Sequence, residues 1–332
     1  MDNKKLYHQI LFIILGLSCL KTTYAADALP KINLEDHITV SGVSSGGYMA
    51  NQIHLAHAEK INGAGIFAAG PYFCSEDSLL TAAKQCLDKE NSNPPVKALL
   101  AIAQANAQHQ KIADLKELQN DRIWIFHGTK DHLVDKSVTE ALVAFYQQYV
   151  SEKNIVYINN IAAGHGFPTL NSGVPCANSE SPFINKCNYD GAGAMLQHLY
   201  PNLVEPSVST ATPQQFDQSL YNLEKSGLAQ QGYIYIPKAC AKGDTCKLHI
   251  SFHACNQNAE TIGTQYVENT GLNRWAESNN IVILYPQTTR TLFTNAYGCW
   301  DWWGYTDEHF AERSGKQIQS IWNMVQALQT AK

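Results

Sequence analysis

The 332-residue chain has no C-x-x-C motif, no cluster of lysine or arginine, no internal repeat and no low-complexity tract. Each absence narrows the reading. Without a basic patch, and with a net charge of −5, nucleic acid and anionic membrane surfaces are excluded as partners. Without C-x-x-C spacing, a structural zinc site or a thioredoxin-like redox pair has no sequence support, and no metal or organic cofactor is expected. No Ser/Gly/Thr-rich linker separates one part of the chain from another, so a single domain is expected. Past the first twenty residues no apolar run is long enough to cross a membrane.

Within those first residues two lysines precede an apolar run from Ile10 to Leu20, and small residues stand at Thr23 and Ala25. This is the pattern of a cleaved signal peptide over 1–25, with an apolar core too short to span a bilayer. The protein is therefore expected in the periplasm or outside the cell. That leader carries a charge of +2, which leaves the remaining chain near −7. Residues 26–332 are enough for one α/β domain with a substantial core; a monomer is expected.

Nine cysteines occur, and Cys19 leaves with the leader. Eight remain, an even number in an exported chain, which predicts four disulfides. They fall into near pairs, Cys74 with Cys86, Cys176 with Cys187, Cys240 with Cys246 and Cys255 with Cys299, although eight cysteines allow many other connectivities.

Apolar strand-like runs alternate with segments of helical period. "HITVSGV", "INGAGIFAAGPY", "RIWIFHGT" and "NIVYINNI" read as strands; "GYMANQIHLAHAEK", "VKALLAIAQANAQHQ" and "KSVTEALVAFYQQYV" read as helices. From Gly166 to Gln230 six prolines break the pattern, which predicts a long, loop-rich excursion. Alternation then resumes: "QGYIYIPK" and "KLHISFHA" as strands that pair with each other, "TQYVENTGLNRWAESNN" as one helix, "IVILYPQT" as a strand and a closing helix over 314–331. The fold expected is α/β, a mostly parallel sheet with helices on both faces.

"SGVSSGGYMA" carries the chemistry. Gly42-Val43-Ser44-Ser45-Gly46 fits G-x-S-x-G between a strand and a helix, the setting of a nucleophile elbow. The spacing makes Ser44 the nucleophile and aims the Ser45 N–H at a developing oxyanion. A base and an orienting acid are needed. Asp131 follows the end of "RIWIFHGT", whereas Asp135 sits at a helix start and reads as an N-cap. His165 follows the next strand, flanked by Gly164 and Gly166. His127 and His253, at the ends of apolar strands, read as packing or supporting groups. Asp301 ranks third as a triad acid.

The order Ser, Asp, His is that of the α/β-hydrolases. The second oxyanion loop is misplaced, however. Its only good candidate, "LHISFHACNQN", follows the histidine instead of preceding the serine. A circular permutation reconciles the two. The C-terminal half would supply the front of the sheet, and the Cys255 N–H would be the second oxyanion donor, held by a bridge to Cys299. "GCWDWWGY" places Trp300, Trp302, Trp303 and Tyr305 within six residues. One or two belong in the core, and the remainder are candidates to line a groove for an apolar substrate.

Five segments in this order, "GVSSGGYMA", "FHGTKDHLV", "AAGHGFPT", "FHACNQN" and "NAYGCWDWWGY", make the chain resemble the extracellular short-chain polyhydroxyalkanoate depolymerases with an N-terminal lipase box. These include single-domain fungal polyhydroxybutyrate depolymerases of circularly permuted α/β-hydrolase fold. The resemblance covers nearly all of the chain beyond the leader. It implies that Ser44, Asp131 and His165 form the triad, that Ser45 and Cys255 form the oxyanion hole, and that the substrate is a polyester of short hydroxyacyl units or its oligomers. A general carboxylesterase or feruloyl-type esterase on soluble esters is the alternative. A catalytically inactive binding protein is a distant one.

Overall fold

A computed structural model of the protein describes residues 27–87, 93–206 and 211–329. The leader expected over 1–25 lies outside them. In chain order the strands are β1 (Leu34–Val43), β2 (Ile61–Phe67), β3 (Arg122–Phe126), β4 (Ile155–Ile158), β5 (Phe167–Thr169), β6 (Val174–Pro175), β7 (Ile184–Lys186), β8 (Gln214–Asp217), β9 (Gln231–Tyr235), β10 (Cys246–Phe252) and β11 (Ile281–Tyr285). The helices are α1 (Ser45–Ala56), α2 (Leu79–Cys86), α3 (Val96–Gln108), α4 (Lys136–Tyr146), α5 (Gly191–Leu199), α6 (Lys238–Ala241), α7 (Ala259–Ile262), α8 (Gln265–Asn269), α9 (Leu272–Asn279) and α10 (Lys316–Leu328).

Eight strands form one sheet in the order β4-β3-β2-β1-β10-β11-β9-β8. The six from β4 to β11 run parallel, and only β9 and its partners β11 and β8 pair antiparallel. The strands are apolar on both faces because helices cover both. Ile123 and Ile125 of β3 face a core shared with α1, α3, α4 and α10. Trp124 and Phe126, one step along, face a second core shared with α5 and α9.

The pairing registers align the strand ends. Gly42 stands opposite Phe252, Val43 opposite Phe67, Phe67 opposite Phe126, and Phe126 opposite Ile158. The chain therefore leaves the sheet at one level on five neighbouring paths, one of which carries Ser44. This edge is where open α/β sheets place their chemistry. The neighbour of β1 on one side, β10, comes from the C-terminal half of the chain.

Three expectations about local structure are corrected. β9 pairs with β11 and β8, not with β10, because both edges of β10 are taken by β1 and β11. The single helix expected over 264–280 is broken into α8 and α9 at Gly271, whose φ of 87° only glycine adopts freely. The excursion from Gly166 to Gln230 is more ordered than a loop. It holds α5, which covers one sheet face, and a three-stranded sheet of order β5-β7-β6 behind the histidine loop.

The four bridges in the structure join Cys74 to Cys86, Cys176 to Cys187, Cys240 to Cys246 and Cys255 to Cys299. Three of the four close short loops. The fourth links two segments 44 residues apart.

Candidate active site

Ser44 sits between β1 and α1 with φ 55° and ψ −119°, a conformation outside the regions a serine ordinarily occupies. Its N–H donates to Phe67 O at 2.9 Å and its carbonyl accepts from Tyr48 N–H at 3.0 Å, so both neighbouring elements hold the strained turn in place. Glycine on each side is a steric necessity. A Cβ on Gly42 would lie 2.0 Å from Gly46 O, and one on Gly46 would lie 2.3 Å from Phe252 O. The same close approach presses the end of β10 against the start of α1. That brings "FHACNQN" to the elbow from far along the chain.

Asp131 and His165 come together at the same edge. The His165 Nδ1–H donates to Asp131 Oδ2 at 2.8 Å, and both side chains are buried. The other carboxylate oxygen accepts the N–H groups of Leu133 at 2.8 Å and Val134 at 3.1 Å. Burial opposes charge on Asp131, but the imidazole and these two amides outweigh it and hold its carboxyl below the usual carboxylate range. The bond fixes the imidazole tautomer and leaves Nε2 as the free base. Asp135 does not compete, since its carboxylate caps α4 by accepting from Ser137 N–H at 2.8 Å.

The histidine loop is held from behind. The His165 N–H donates to Ser179 Oγ at 2.8 Å, and the Gly164 N–H to Cys176 O at 2.7 Å. Asn185, fully buried, donates to Cys176 O and Asn178 O at 3.0 and 2.6 Å. Motif reading missed Ser179 and Asn185, because nothing in their local sequence marks them. Their partners are set by how the three-stranded sheet folds back.

The Ser45 N–H opens α1, where the helix dipole favours negative charge. Cys255 lies three residues past β10 and is bonded to Cys299. Trp300, next in the chain, donates its N–H to Ser45 Oγ at 3.4 Å, a long contact.

The aromatic group divides. Trp300 is 0% and Trp302 6% exposed, so neither offers surface to a groove, and this corrects the expectation for both. Trp300 packs against Phe252 and His253, and Trp302 stacks on Tyr48 with centroids 4.3 Å apart. Trp303 and Tyr305 are half-buried and tilt against each other. The Tyr305 hydroxyl donates to Cys299 O at 2.9 Å, which directs it inward. Asp301 is fully buried and takes no part in a triad. Its two oxygens accept the N–H groups of Trp303, Gly304, Tyr305 and Thr306, which folds the tryptophan loop around it. Among the described residues no group of three or more His, Cys, Asp or Glu side chains is placed to hold a metal.

No family model matches the chain. It is 40% identical over 318 residues to a poly(3-hydroxybutyrate) depolymerase of Delftia acidovorans, an alignment that spans 94% of this chain and 63% of that protein. It is 35% identical over 322 residues to the polyhydroxybutyrate depolymerase of Talaromyces funiculosus, spanning 92% and 93%. Among solved structures, PHB depolymerase from Penicillium funiculosum superposes with a TM-score of 0.85 at 33% identity over 91% of this chain and 98% of that one. A serine-to-alanine PHB depolymerase complexed with an R3HB trimer gives the same values. With a relative aligned over nine-tenths of both lengths and the same fold in two solved structures, the chain belongs to the polyhydroxybutyrate depolymerases.

Proposed function

We propose that the protein is a secreted serine esterase that cleaves the ester bonds of polyhydroxybutyrate or its oligomers. The observation that carries this is the buried Asp131–His165 pair at the sheet edge that also bears the strained Ser44 turn. The family's named substrate and the relative complexed with an R3HB trimer supply the acyl group.

In the proposed reaction Ser44 Oγ attacks the ester carbonyl while His165 Nε2 takes its proton, and Asp131 stabilises the imidazolium. The N–H groups of Ser45 and Cys255 receive the negative charge of the tetrahedral intermediate. Collapse breaks the ester C–O bond, and His165 returns the proton to the departing hydroxyl end of the polyester. Water, deprotonated by the same imidazole, then attacks the acyl-enzyme. A second collapse gives a free carboxylic acid and restores Ser44. The step order needs neither metal nor organic cofactor. We read the position of β10 and β11 beside β1 as a circular permutation of the hydrolase sheet, the unit 26–332 as one catalytic domain, and the molecule as a monomer.

A solid substrate is supported by where apolar surface is exposed. Leu79 and Leu80 follow β2, Leu133 follows β3, Leu170 follows His165, and Leu292, Phe293 and Tyr297 follow β11. All lie on segments leaving the catalytic edge, and Phe293 is 93% exposed. Large side chains so placed lose water on contact with an apolar polymer face. Hydrolysis of a polyhydroxybutyrate film, its soluble oligomers and a p-nitrophenyl acyl series should be measured side by side. Phe293→Ser should slow film hydrolysis several-fold and leave p-nitrophenyl butyrate untouched. Activity on p-nitrophenyl esters with none on oligomers or film would favour a general carboxylesterase instead.

A further inference from the structure

Two places beyond Cys255, one side chain joins the oxyanion loop to the histidine loop. We propose that Gln257 is a positioning residue that fixes the Cys255 N–H relative to His165. This deepens the esterase reading above and rests on it.

Gln257 is 1% exposed, and all its hydrogen-bonding hydrogens are used. Its Oε1 accepts the Ala254 N–H at 2.7 Å. Its Nε2 donates to Pro182 O at 2.9 Å and Phe183 O at 3.0 Å. Each half of one amide thus grips a different loop, the two some 75 residues apart. On the far side the Phe183 ring stands edge-on to the His165 imidazole, with centroids 6.3 Å apart. Phe183 O also accepts the N–H of Phe167, two residues past the histidine.

On the near side the geometry is tighter still. The carbonyl of Ala254 and the N–H of Cys255 belong to one peptide plane. His253 Nδ1–H donates to that carbonyl at 2.7 Å, and its Nε2 accepts the Thr288 N–H at 3.2 Å. With Ala254 O held by His253 and Ala254 N–H held by Gln257, the plane carrying the Cys255 N–H cannot turn without breaking a buried hydrogen bond. The Asn256 N–H, donating to Tyr297 O at 2.7 Å, and the bridge to Cys299 close the other side. Only an amide of this length meets the requirement of one acceptor and two donated hydrogens. Glutamate lacks the two donors, asparagine the reach, and methionine, of similar length, has no donor and only a weak acceptor.

The test compares Gln257→Met and Gln257→Glu with the wild type on p-nitrophenyl butyrate, each preparation normalised by fluorophosphonate titration and checked by thermal melting. Gln257→Met should lower kcat by about 10- to 100-fold with KM within about threefold, since a displaced oxyanion donor acts on the transition state alone. Gln257→Glu carries a signature that a structural role does not produce. A carboxyl group facing two carbonyl oxygens can donate to one of them only while protonated and repels both once ionised, so kcat should fall as pH rises through its pKa, an alkaline loss absent from the wild type. The ionisable groups on the segments around position 257 are His253, Glu180, Glu260 and His165 with Asp131, and all are shared by both proteins. A Gln257→Glu profile that superposes on the wild type, or a Gln257→Met kcat within threefold of it, overturns the proposal. A wild type that hydrolyses no ester in the series overturns the esterase reading itself, and this inference with it.

Discussion

Replacing Gly46 by alanine should separate the elbow from the oxyanion loop without touching a single catalytic atom. The added Cβ would lie 2.3 Å from Phe252 O, 2.4 Å from His253 O and 2.7 Å from Phe252 C, where real Cβ contacts essentially never fall below 3.0 Å. All three neighbours are backbone, so no side chain can swing aside. Relief requires the start of α1 and the end of β10 to part by about 0.7 Å. Ser44 and Ser45 lie on one side of that gap and Cys255 on the other, so the two oxyanion donors move apart. A misplacement of about 1 Å costs on the order of 10²-fold in rate, and overpacking costs about 1–3 kcal/mol in stability. Gly263→Ala is the control. Unlike Gly46 it sits at positive φ, 62°, but its Cβ would meet nothing within 4 Å, so it should lose some stability and no kcat. Both variants are to be followed by thermal melting and by kcat on p-nitrophenyl butyrate. If Gly46→Ala keeps kcat within threefold of the wild type, the close approach is not what holds the oxyanion donors together.

Other outcomes follow from the same geometry. Ser44→Ala should lower kcat by about 10⁴ to 10⁶ with the fold retained, while Ser45→Ala, which keeps its backbone N–H, should be far milder; the reverse ranking in a steady-state assay would refute the elbow register. Asp131→Asn should cost about 10⁴ in kcat by misdirecting the imidazole, whereas Asp135→Asn should weaken only the cap of α4, so equal losses would mean the acid is misassigned. Mild reduction followed by peptide mapping should show kcat falling as the Cys255–Cys299 bridge opens, before the melting transition is lost; activity unchanged with that bridge open would sink the role given to the tie. His249, fully buried between Thr39 and Ser41, has its pKa lowered by burial to about 3. The unfolded chain therefore takes up a proton near pH 6.5 that the folded chain refuses, and stability should fall as pH drops from there towards 3. His249→Gln should flatten that part of a melting-temperature profile, and an unchanged slope would count against it.

The parts of the site legible in the sequence were those where local backbone demands specific residues. The elbow shows itself because Gly42 and Gly46 leave room that no Cβ could share, and Asp131 and His165 because each closely follows an apolar strand. The pairing of β9 was not legible. Which strand edge remains open depends on β1 taking one side of β10, a contact between distant segments. Nor could composition tell a tryptophan that lines a groove from one that fills a core. Trp302 is buried because Tyr48, on the elbow helix, offers it a face. Gln257 was part of a quoted motif, yet its role depends on Pro182 and Phe183, which lie in the segment whose pattern was weakest.

The central position of β1 sets an order on how the molecule can be born. Its partner β2 emerges from the ribosome soon after it, but Ser41 and Ser251, which meet across the β1–β10 ladder, are 210 residues apart. A chain synthesised as far as Gln230 already holds Ser44, Asp131 and His165, yet one edge of β1 is bare and nothing stands where Cys255 will be. Non-local pairing of this kind makes folding slow, and an uncovered apolar strand is prone to wrong associations while it waits. Nascent chains arrested at Gln230 should therefore be protease-sensitive and inert towards esters, with activity arriving only when the last third of the polypeptide docks.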